Sequence, residues 1–139
     1  MANISLLAVL QLKDPIQLNH PDKARLCLPD EKQPTADNTE CTIVGWGHTQ
    51  WNGTQPDELR EAKVLTVPNN VCNLPVAYNG TINSNHTICA GFEKGGIDAC
   101  NFDSGGSMIS KKGGKYLVYY YPTFILLVNE LSKPNRLLR

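Results

Sequence analysis

The chain has no excess of charge of either sign. Its 139 residues hold 13 Lys and Arg against 13 Asp and Glu, so the formal net charge at pH 7 is zero. A neutral chain generates no long-range field toward nucleic acid or an anionic membrane, and we expect neither as a partner. Charged residues (19%) and apolar residues (41%) are both typical of a folded globular domain, which excludes a disordered segment.

Long hydrophobic runs are missing as well. The stretch 116–128 is interrupted by Pro122 and is too short to span a bilayer. The apolar stretch 4–10 has no basic residue before it and no small-residue cleavage site after it. It therefore favours a buried strand, with a signal peptide as the weaker alternative. There is no internal repeat or low-complexity segment, and one domain accounts for the length.

The cysteines cannot all pair within the chain. Their number is five, so at least one thiol has no intrachain partner. Asn-x-Ser/Thr sequons begin at Asn3, Asn52, Asn79 and Asn85, which are our candidate glycosylation sites. Cysteines together with sequons favour an extracellular or secretory compartment.

Scattered glycine and proline favour short strands joined by turns over long helices. The hydrophobic pattern predicts strands at 4–12, 41–47, 59–67, 87–91 and 115–121. An extended connector is expected over 13–37, a polar loop over 48–56, a short helical turn over 69–74 and a glycine-punctuated loop over 93–107. The tail from 122 could form a strand or a short helix.

One stretch carries the most chemistry: Gly95-Gly-Ile-Asp-Ala-Cys-Asn-Phe-Asp-Ser-Gly-Gly-Ser107. Ser104 precedes two glycines, which permit unusual φ values and let the backbone approach a substrate closely. Taken alone, Asp-Ser-Gly-Gly would be an ordinary glycine-rich surface turn. The segments around it change that interpretation.

The stretch resembles the nucleophile loop of the chymotrypsin/trypsin family of serine proteases, usually Gly-Asp-Ser-Gly-Gly-Pro. Further family landmarks follow one another in the expected order: Cys27-Leu-Pro, Gly45-Trp46-Gly47, Leu59-Arg-Glu-Ala and Ile88-Cys-Ala-Gly91. Gly-Trp-Gly-His-Thr-Gln and Gly-Gly-Ile-Asp-Ala-Cys look most like the membrane-anchored branch that includes hepsin and matriptase. The resemblance covers about Asn3 to Val118, most of the chain.

The resemblance implies a role for each residue of the loop. Ser104 holds the nucleophile position, and backbone N–H groups of Phe102 and Ser104 would form the oxyanion hole. Asp98 lies at the base of the primary specificity pocket, where a carboxylate selects Arg or Lys. Asp103 matches the aspartate that pairs with the new amino terminus after zymogen cleavage. The implied activity is a serine-type endopeptidase acting on peptide or protein substrates, with no cofactor and no metal.

The fold implied is all-β, with two six-stranded antiparallel barrels. Residues 1–12 would supply one strand of the first barrel, 13–37 the connector, 38–118 about five strands of the second barrel, and 119–139 a divergent tail. A barrel that lacks its last strand is either patched by residues 119–128 or left open, and we expect it to be open.

Three departures from the family predict that these residues alone are inactive. The family's general-base histidine precedes the first matching strand, and His20, His48 and His86 are expected to be solvated loop residues. Asn3 replaces the triad aspartate, a change that costs about 10⁴-fold in turnover in the family's own template. Phe102 replaces the oxyanion glycine, and loss of one donor costs about 10²–10³-fold.

The cysteines follow the family only in part. The resemblance predicts a disulfide between Cys72 and Cys89. The usual partner of Cys41 is replaced by Ser110, and no cysteine follows to pair with Cys100. In the family, Cys27 ties the domain to an upstream propeptide or stem.

Three hypotheses remain at this point. The chain is part of a trypsin-like endopeptidase, or a non-catalytic secreted glycoprotein that keeps the fold as a binding surface. The third is a truncated translation product with open strand edges.

Overall fold

The computed structural model describes residues 9–30, 36–82, 87–92 and 94–119, together with the backbone of 125–127. The regular secondary structure of these residues is strand, apart from one helix of a single turn. The elements in chain order are β1 (Glu40–Gly45), β2 (Arg60–Val67), α1 (Asn69–Cys72), β3 (Cys89–Gly91), β4 (Met108–Lys112), β5 (Lys115–Tyr119) and β6 (Ile125–Leu127). The all-β fold class is confirmed.

The strands form one six-stranded sheet in the order β5-β4-β1-β2-β3-β6. Neighbouring strands are antiparallel except β6, which runs parallel to β3. This sheet is consistent with part of a trypsin-like β-barrel. Our expectation of an open edge is wrong beside β3, because the tail residues Ile125–Leu127 pair with it. An uncovered β3 would leave a row of backbone N–H and C=O groups without partners, and the apolar tail satisfies them.

The core lies on one face of this sheet. Along β2, Ala62, Val64 and Thr66 are buried while Glu61 and Lys63 are exposed, the period-2 pattern of a strand with one wet face. Val64 and Met108 are completely buried and pack with Cys41, Ile43 and Tyr119. Burying a side chain of this size stabilises the fold by about 1.5–3 kcal/mol.

A second, smaller cluster surrounds the disulfide between Cys72 and Cys89, which confirms the predicted pairing. Ile82 completes this cluster. The side chain of Asn73 fixes the loop at Ile82 twice, since its Nδ2 donates to the Ile82 carbonyl (3.0 Å) and its Oδ1 accepts from the Ile82 N–H (2.9 Å). The disulfide therefore joins α1 to β3, and the two hydrogen bonds from Asn73 hold the loop that lies between them.

The predicted strand at 4–12 is wrong over its described part, residues 9–12. These residues are irregular and exposed, with Val9 at 91% and Leu10 at 83% of full exposure. Among the described residues none bonds to this backbone, and an isolated strand cannot satisfy its own N–H and C=O groups. Residues 1–8 lie outside the described residues.

Residues 13–30 and 36–37, the described parts of the proposed connector, contain no helix or strand, apart from an isolated bridge between Cys27 and Leu117. The buried hydroxyl of Thr66 in β2 hydrogen-bonds to the carboxyl-terminal end of this segment. That oxygen donates to the Ala36 carbonyl at 2.7 Å and accepts from the Thr39 N–H at 2.8 Å. Strand β4 was not predicted from the sequence, because its polar residues Ser110, Lys111 and Lys112 obscure the hydrophobic pattern.

Candidate active site: the Ser104 loop

The loop around Ser104 consists of two consecutive β-turns. The N–H of Asp103 donates to the carbonyl of Cys100 (3.1 Å), and the N–H of Gly106 donates to the carbonyl of Asp103 (3.0 Å). The third residue of each turn has positive φ, +76° at Phe102 and +87° at Gly105, as type II turns require. Ser104 lies between them at an exposed position. The loop thus presents its hydroxyl to solvent on a tightly turned backbone.

Asp103 holds this double turn against the segment that follows the end of β1. Its Oδ1 accepts from the N–H of Gly47 at 2.7 Å, and its Oδ2 accepts from the N–H of Cys100 at 2.8 Å. A β-carbon on either Gly45 or Gly47 would collide with this carboxylate. The two glycines of the Gly-Trp-Gly motif therefore provide the space in which Asp103 binds.

Phe102 takes a backbone conformation suited to glycine. Its φ of +76° is rare for a bulky residue, and such positions cost about 1–3 kcal/mol each. Phe102 therefore keeps a left-handed backbone conformation in spite of its β-carbon. The ring packs against His48 with centroids 4.8 Å apart and planes tilted by 48°. The oxyanion-hole role of the Phe102 and Ser104 N–H groups stays a prediction.

The histidines divide into two environments. His20 is exposed, as predicted, and its Nδ1 accepts a hydrogen bond from the Asp22 N–H at 3.3 Å. The prediction of a solvated loop residue is wrong for His48, which is half-buried because the Phe102 ring packs on it. Its Nδ1 is buried and, among the described residues, has no hydrogen-bond partner. His86 lies outside the described residues.

Asp98 has an unusual carboxyl group. Burial raises its pKa to about 6, and the negative charge of Asp103 contributes to the rise, while a hydrogen bond from the Ala99 backbone opposes it. A carboxyl group whose pKa is shifted by burial is a candidate functional residue.

The three free cysteines also differ in environment. Cys41 is buried, and burial, reinforced by the charge of Glu40, raises the pKa of its thiol to about 11. Cys41 lies directly opposite Ser110 in the β1–β4 register, at the position where the family places its partner. Cys27 is exposed and Cys100 is half-buried.

The remaining predicted sites lie on the surface or outside the description. Asn52 and Asn79 are exposed in turns with φ of +55° and +46°, which leaves both sequons accessible. Asn3, which the family resemblance predicts at the triad aspartate position, and Asn85 lie outside the described residues. Within the described ranges, no group of His, Cys, Asp and Glu could hold a metal ion. The same ranges contain no helix that is long and apolar enough to cross a membrane.

Two features of the site were missed in the sequence. Gly45 and Gly47 are family landmarks in the sequence, but their spacing of two at a strand end also places both on the same side, open to Asp103. The packing of His48 on Phe102 left no local signal, because 54 residues separate them in the sequence (102 − 48).

Comparison with known proteins places the chain. The Trypsin family model matches residues 6–120. Mouse (Mus musculus) Transmembrane protease serine 11C is 34% identical over 132 residues, which is 94% of this chain and 29% of that protein. Mouse Transmembrane protease serine 11G is 37% identical over 103 residues, which is 74% of this chain and 24% of that protein. The chain thus spans less than a third of these curated relatives, and it belongs to the trypsin family of serine proteases.

Proposed function

We propose that this chain is the carboxyl-side part of an endopeptidase domain that cleaves after Arg or Lys, and that these 139 residues alone do not turn over substrate. Asp98 carries the proposed specificity. It is the desolvated carboxylate of the loop, and its position in Gly-Gly-Ile-Asp-Ala-Cys matches the family residue that binds the substrate cation. A guanidinium or ammonium placed on it would form a charge-assisted hydrogen bond and offset the cost of burying the charge.

The proposed inactivity has two supports in these residues. Asn3 stands at the triad aspartate position, where an amide cannot accept from the imidazole as a carboxylate does. His48 has its ring against Phe102 rather than in a hydrogen bond to Ser104. A serine without a base is an ordinary alcohol and a weak nucleophile.

Binding of a small cation tests the specificity. Titration with p-aminobenzamidine, followed by its fluorescence, should show binding by the wild-type chain that Asp98→Asn reduces by at least about 10-fold, the loss expected for one charge-assisted pair. Asp57→Asn is the matched control, since Asp57 is exposed on the surface and its loss removes the same charge. Equal affinities for all three proteins would contradict the role of Asp98.

Labelling of the serine tests the reactivity separately. A fluorophosphonate probe reacts with an activated serine, and we expect labelling of the wild-type chain no greater than that of Ser104→Ala. Labelling that disappears in Ser104→Ala would show an activated nucleophile and overturn the proposed inactivity. It would leave the Asp98 result standing, so the two parts of the proposal fail independently.

We also propose a cellular location, two glycosylation sites and an intermolecular disulfide for this chain. The chain acts in the secretory pathway or outside the cell, Asn52 and Asn79 carry glycans, and the exposed Cys27 bonds to an upstream propeptide or stem. Asp103 would bind a new amino terminus by exchanging its present backbone donors. Treatment with an N-glycosidase, followed by mass spectrometry of the secreted protein, tests the glycans: a shift of the peptides carrying Asn52 and Asn79 is expected.

A non-catalytic binding protein is the alternative, and Phe102 is the observation that favours it. A glycine at this position would relieve the strained φ and suit an oxyanion hole, whereas phenylalanine exposes 64% of its surface to solvent. An exposed aromatic ring in the loop around Ser104 suits recognition of another protein. Partner binding that Phe102→Ala abolishes, without fluorophosphonate labelling, would support this alternative.

A further inference from the structure

The first β-turn of the Ser104 loop, Cys100 to Asp103, contains a peptide group with two allowed orientations. Type I and type II turns share the hydrogen bond between their first and fourth residues, here from the Asp103 N–H to the Cys100 carbonyl (3.1 Å). They differ by a rotation of roughly 180° of the central peptide, which here joins Asn101 to Phe102. The φ of Phe102 is +76°, as in type II, whereas type I would give it a φ of about −90°.

Steric strain at Phe102 favours the type I orientation. A positive φ is strained for a residue with a β-carbon, and rotation of the central peptide would relieve this strain without breaking the turn hydrogen bond. Backbone strain of this kind persists only where the surrounding structure holds it. A contact from outside the turn must therefore favour the observed type II orientation.

His48 makes two such contacts. Its backbone N–H donates to the carbonyl of Asn101 at 3.0 Å, and this carbonyl belongs to the peptide that would rotate. Rotation would turn the oxygen away and break the hydrogen bond. The His48 ring also packs on the Phe102 ring, with centroids 4.8 Å apart. The neighbouring N–H of Gly47 binds the carboxylate of Asp103 at 2.7 Å, so the segment 47–48 is fixed against the turn.

The two opposing contributions are of similar size. The strain of a bulky residue at positive φ is comparable with the sum of one neutral hydrogen bond and one aromatic contact. Removing the His48 ring leaves the hydrogen bond alone against the strain at Phe102. The loss of this ring should therefore shift the turn measurably toward type I.

We propose that His48 is a positioning residue that selects between two conformations of the Ser104 loop. The peptide between Asn101 and Phe102 is trans, so its N–H and C=O groups point in opposite directions. Because the carbonyl is directed at His48, the N–H of Phe102 points away from the segment 47–48, and rotation would put the carbonyl in its place. His48 thus determines whether this side of the loop presents a donor, which binds a carbonyl or anionic oxygen, or an acceptor, which repels one. Only the use of this donor as an oxyanion contact rests on the proposed function.

Nuclear magnetic resonance of the isotope-labelled full chain distinguishes the two orientations. In a type II turn the Hα of Asn101 lies close to the N–H of Phe102, whereas in a type I turn the N–H protons of these two residues lie close together. The wild type should show the strong cross-peak between Hα and N–H. His48→Ala should increase the population of the type I form by about 2- to 10-fold, the effect expected for one aromatic contact.

Three further variants separate a positioning role from a general loss of stability. His48→Phe keeps an aromatic ring on Phe102 and should keep the wild-type pattern. His20→Ala removes an exposed histidine whose ring bonds to Asp22 instead, and it should also keep that pattern. Combining His48→Ala with Phe102→Gly should leave the turn in type II, because glycine adopts positive φ without steric cost.

The wild-type spectrum alone can overturn the proposal, if its strong cross-peak joins the two N–H protons. An unchanged pattern in His48→Ala would also overturn it, as would a change of equal size in His20→Ala or in the Phe102→Gly background. None of these measurements depends on turnover or on cation binding at Asp98. The proposal and the proposed function therefore fail separately.

Discussion

The carboxylate of Asp103 accepts a hydrogen bond from the backbone N–H of Gly47 at 2.7 Å, although 56 residues separate them. The same carboxylate accepts from the Cys100 N–H, so it joins the loop around Ser104 to the end of β1. A hydrogen bond to a charged group contributes about 1.5–3 kcal/mol, which makes this one of the stronger local interactions in the chain.

Replacing Asp103 by Ala should therefore destabilise the protein by about 2–4 kcal/mol, because two backbone N–H groups lose their acceptor. Urea unfolding followed by circular dichroism measures the difference. Asp57→Ala, at an exposed position, is the control and should change the stability by less than about 0.5 kcal/mol. Similar values for both variants would show that the Asp103 carboxylate does not hold the loop.

Phe102 offers a test of backbone strain. Phe102→Gly should be more stable than Phe102→Ala by about 1–2 kcal/mol, since only glycine adopts a φ of +76° without steric cost. Both variants remove the ring contact with His48, so their difference isolates the backbone. Thermal unfolding of the two proteins measures it. An alanine variant as stable as the glycine variant would mean that the turn has relaxed to negative φ.

Cys41 and Ser110 are placed so that a disulfide could be introduced between them. They are directly opposite on β1 and β4, and both are buried, at 1% and 4% exposure. Ser110→Cys should form a bridge with Cys41 and stabilise the protein by about 2–4 kcal/mol. Thiol titration under denaturing conditions should find the two thiols of Cys27 and Cys100 instead of the present three.

Ser110→Ala is the control for this experiment and should keep three thiols. In the wild type, Cys41 should resist iodoacetamide near pH 8 while Cys27 reacts, because the thiolate is the nucleophile and burial raises the pKa of Cys41 to about 11. Rapid alkylation of Cys41 in the folded protein would contradict its burial.

Asp98 makes the stability depend on pH. Its pKa is raised from 3.8 to about 6 in the folded state, so between these values the folded state binds more protons than the unfolded state. The stability from this group is complete below about pH 3.8 and is lost as the pH rises to about 6. With allowance for its partial exposure, the loss should amount to about 1–2 kcal/mol.

The measurement compares urea unfolding at pH 4 and pH 7. Asp98→Asn should remove this part of the pH dependence and should be more stable than the wild type at pH 7. An unchanged pH profile in Asp98→Asn would show that its carboxyl group is solvated rather than buried. Asp57→Asn serves again as the surface control.

The sequence predicted the strands whose apolar residues alternate or cluster. The stretch 59–67 became β2 with only its first residue lost, and 69–74 correctly indicated a helical turn, since α1 begins after Pro68. The sequence did not predict β4, because its serine and two lysines break the alternation of apolar and polar residues that marks a strand. The stretch 9–12 failed for the opposite reason, because apolar residues form a strand only where a neighbour can pair with them.

At the candidate site, the sequence supplied candidate residues but not the contacts that hold them. The identities of Asp98, Asp103 and Ser104 followed from the family resemblance. The space that Gly45 and Gly47 leave for Asp103 depends on contacts between distant segments, as does the Phe102–His48 contact. Such contacts depend on the packing of the whole sheet and have no local pattern in the chain.

The central claim is that the Ser104 loop keeps the form of a protease loop without the means to drive catalysis. Hydrolysis of an arginyl-amide substrate by the purified 139-residue chain, beside Ser104→Ala, tests it most directly. The account predicts that both proteins release product at the same background rate. Turnover above this background in the wild type, abolished by Ser104→Ala, would contradict it.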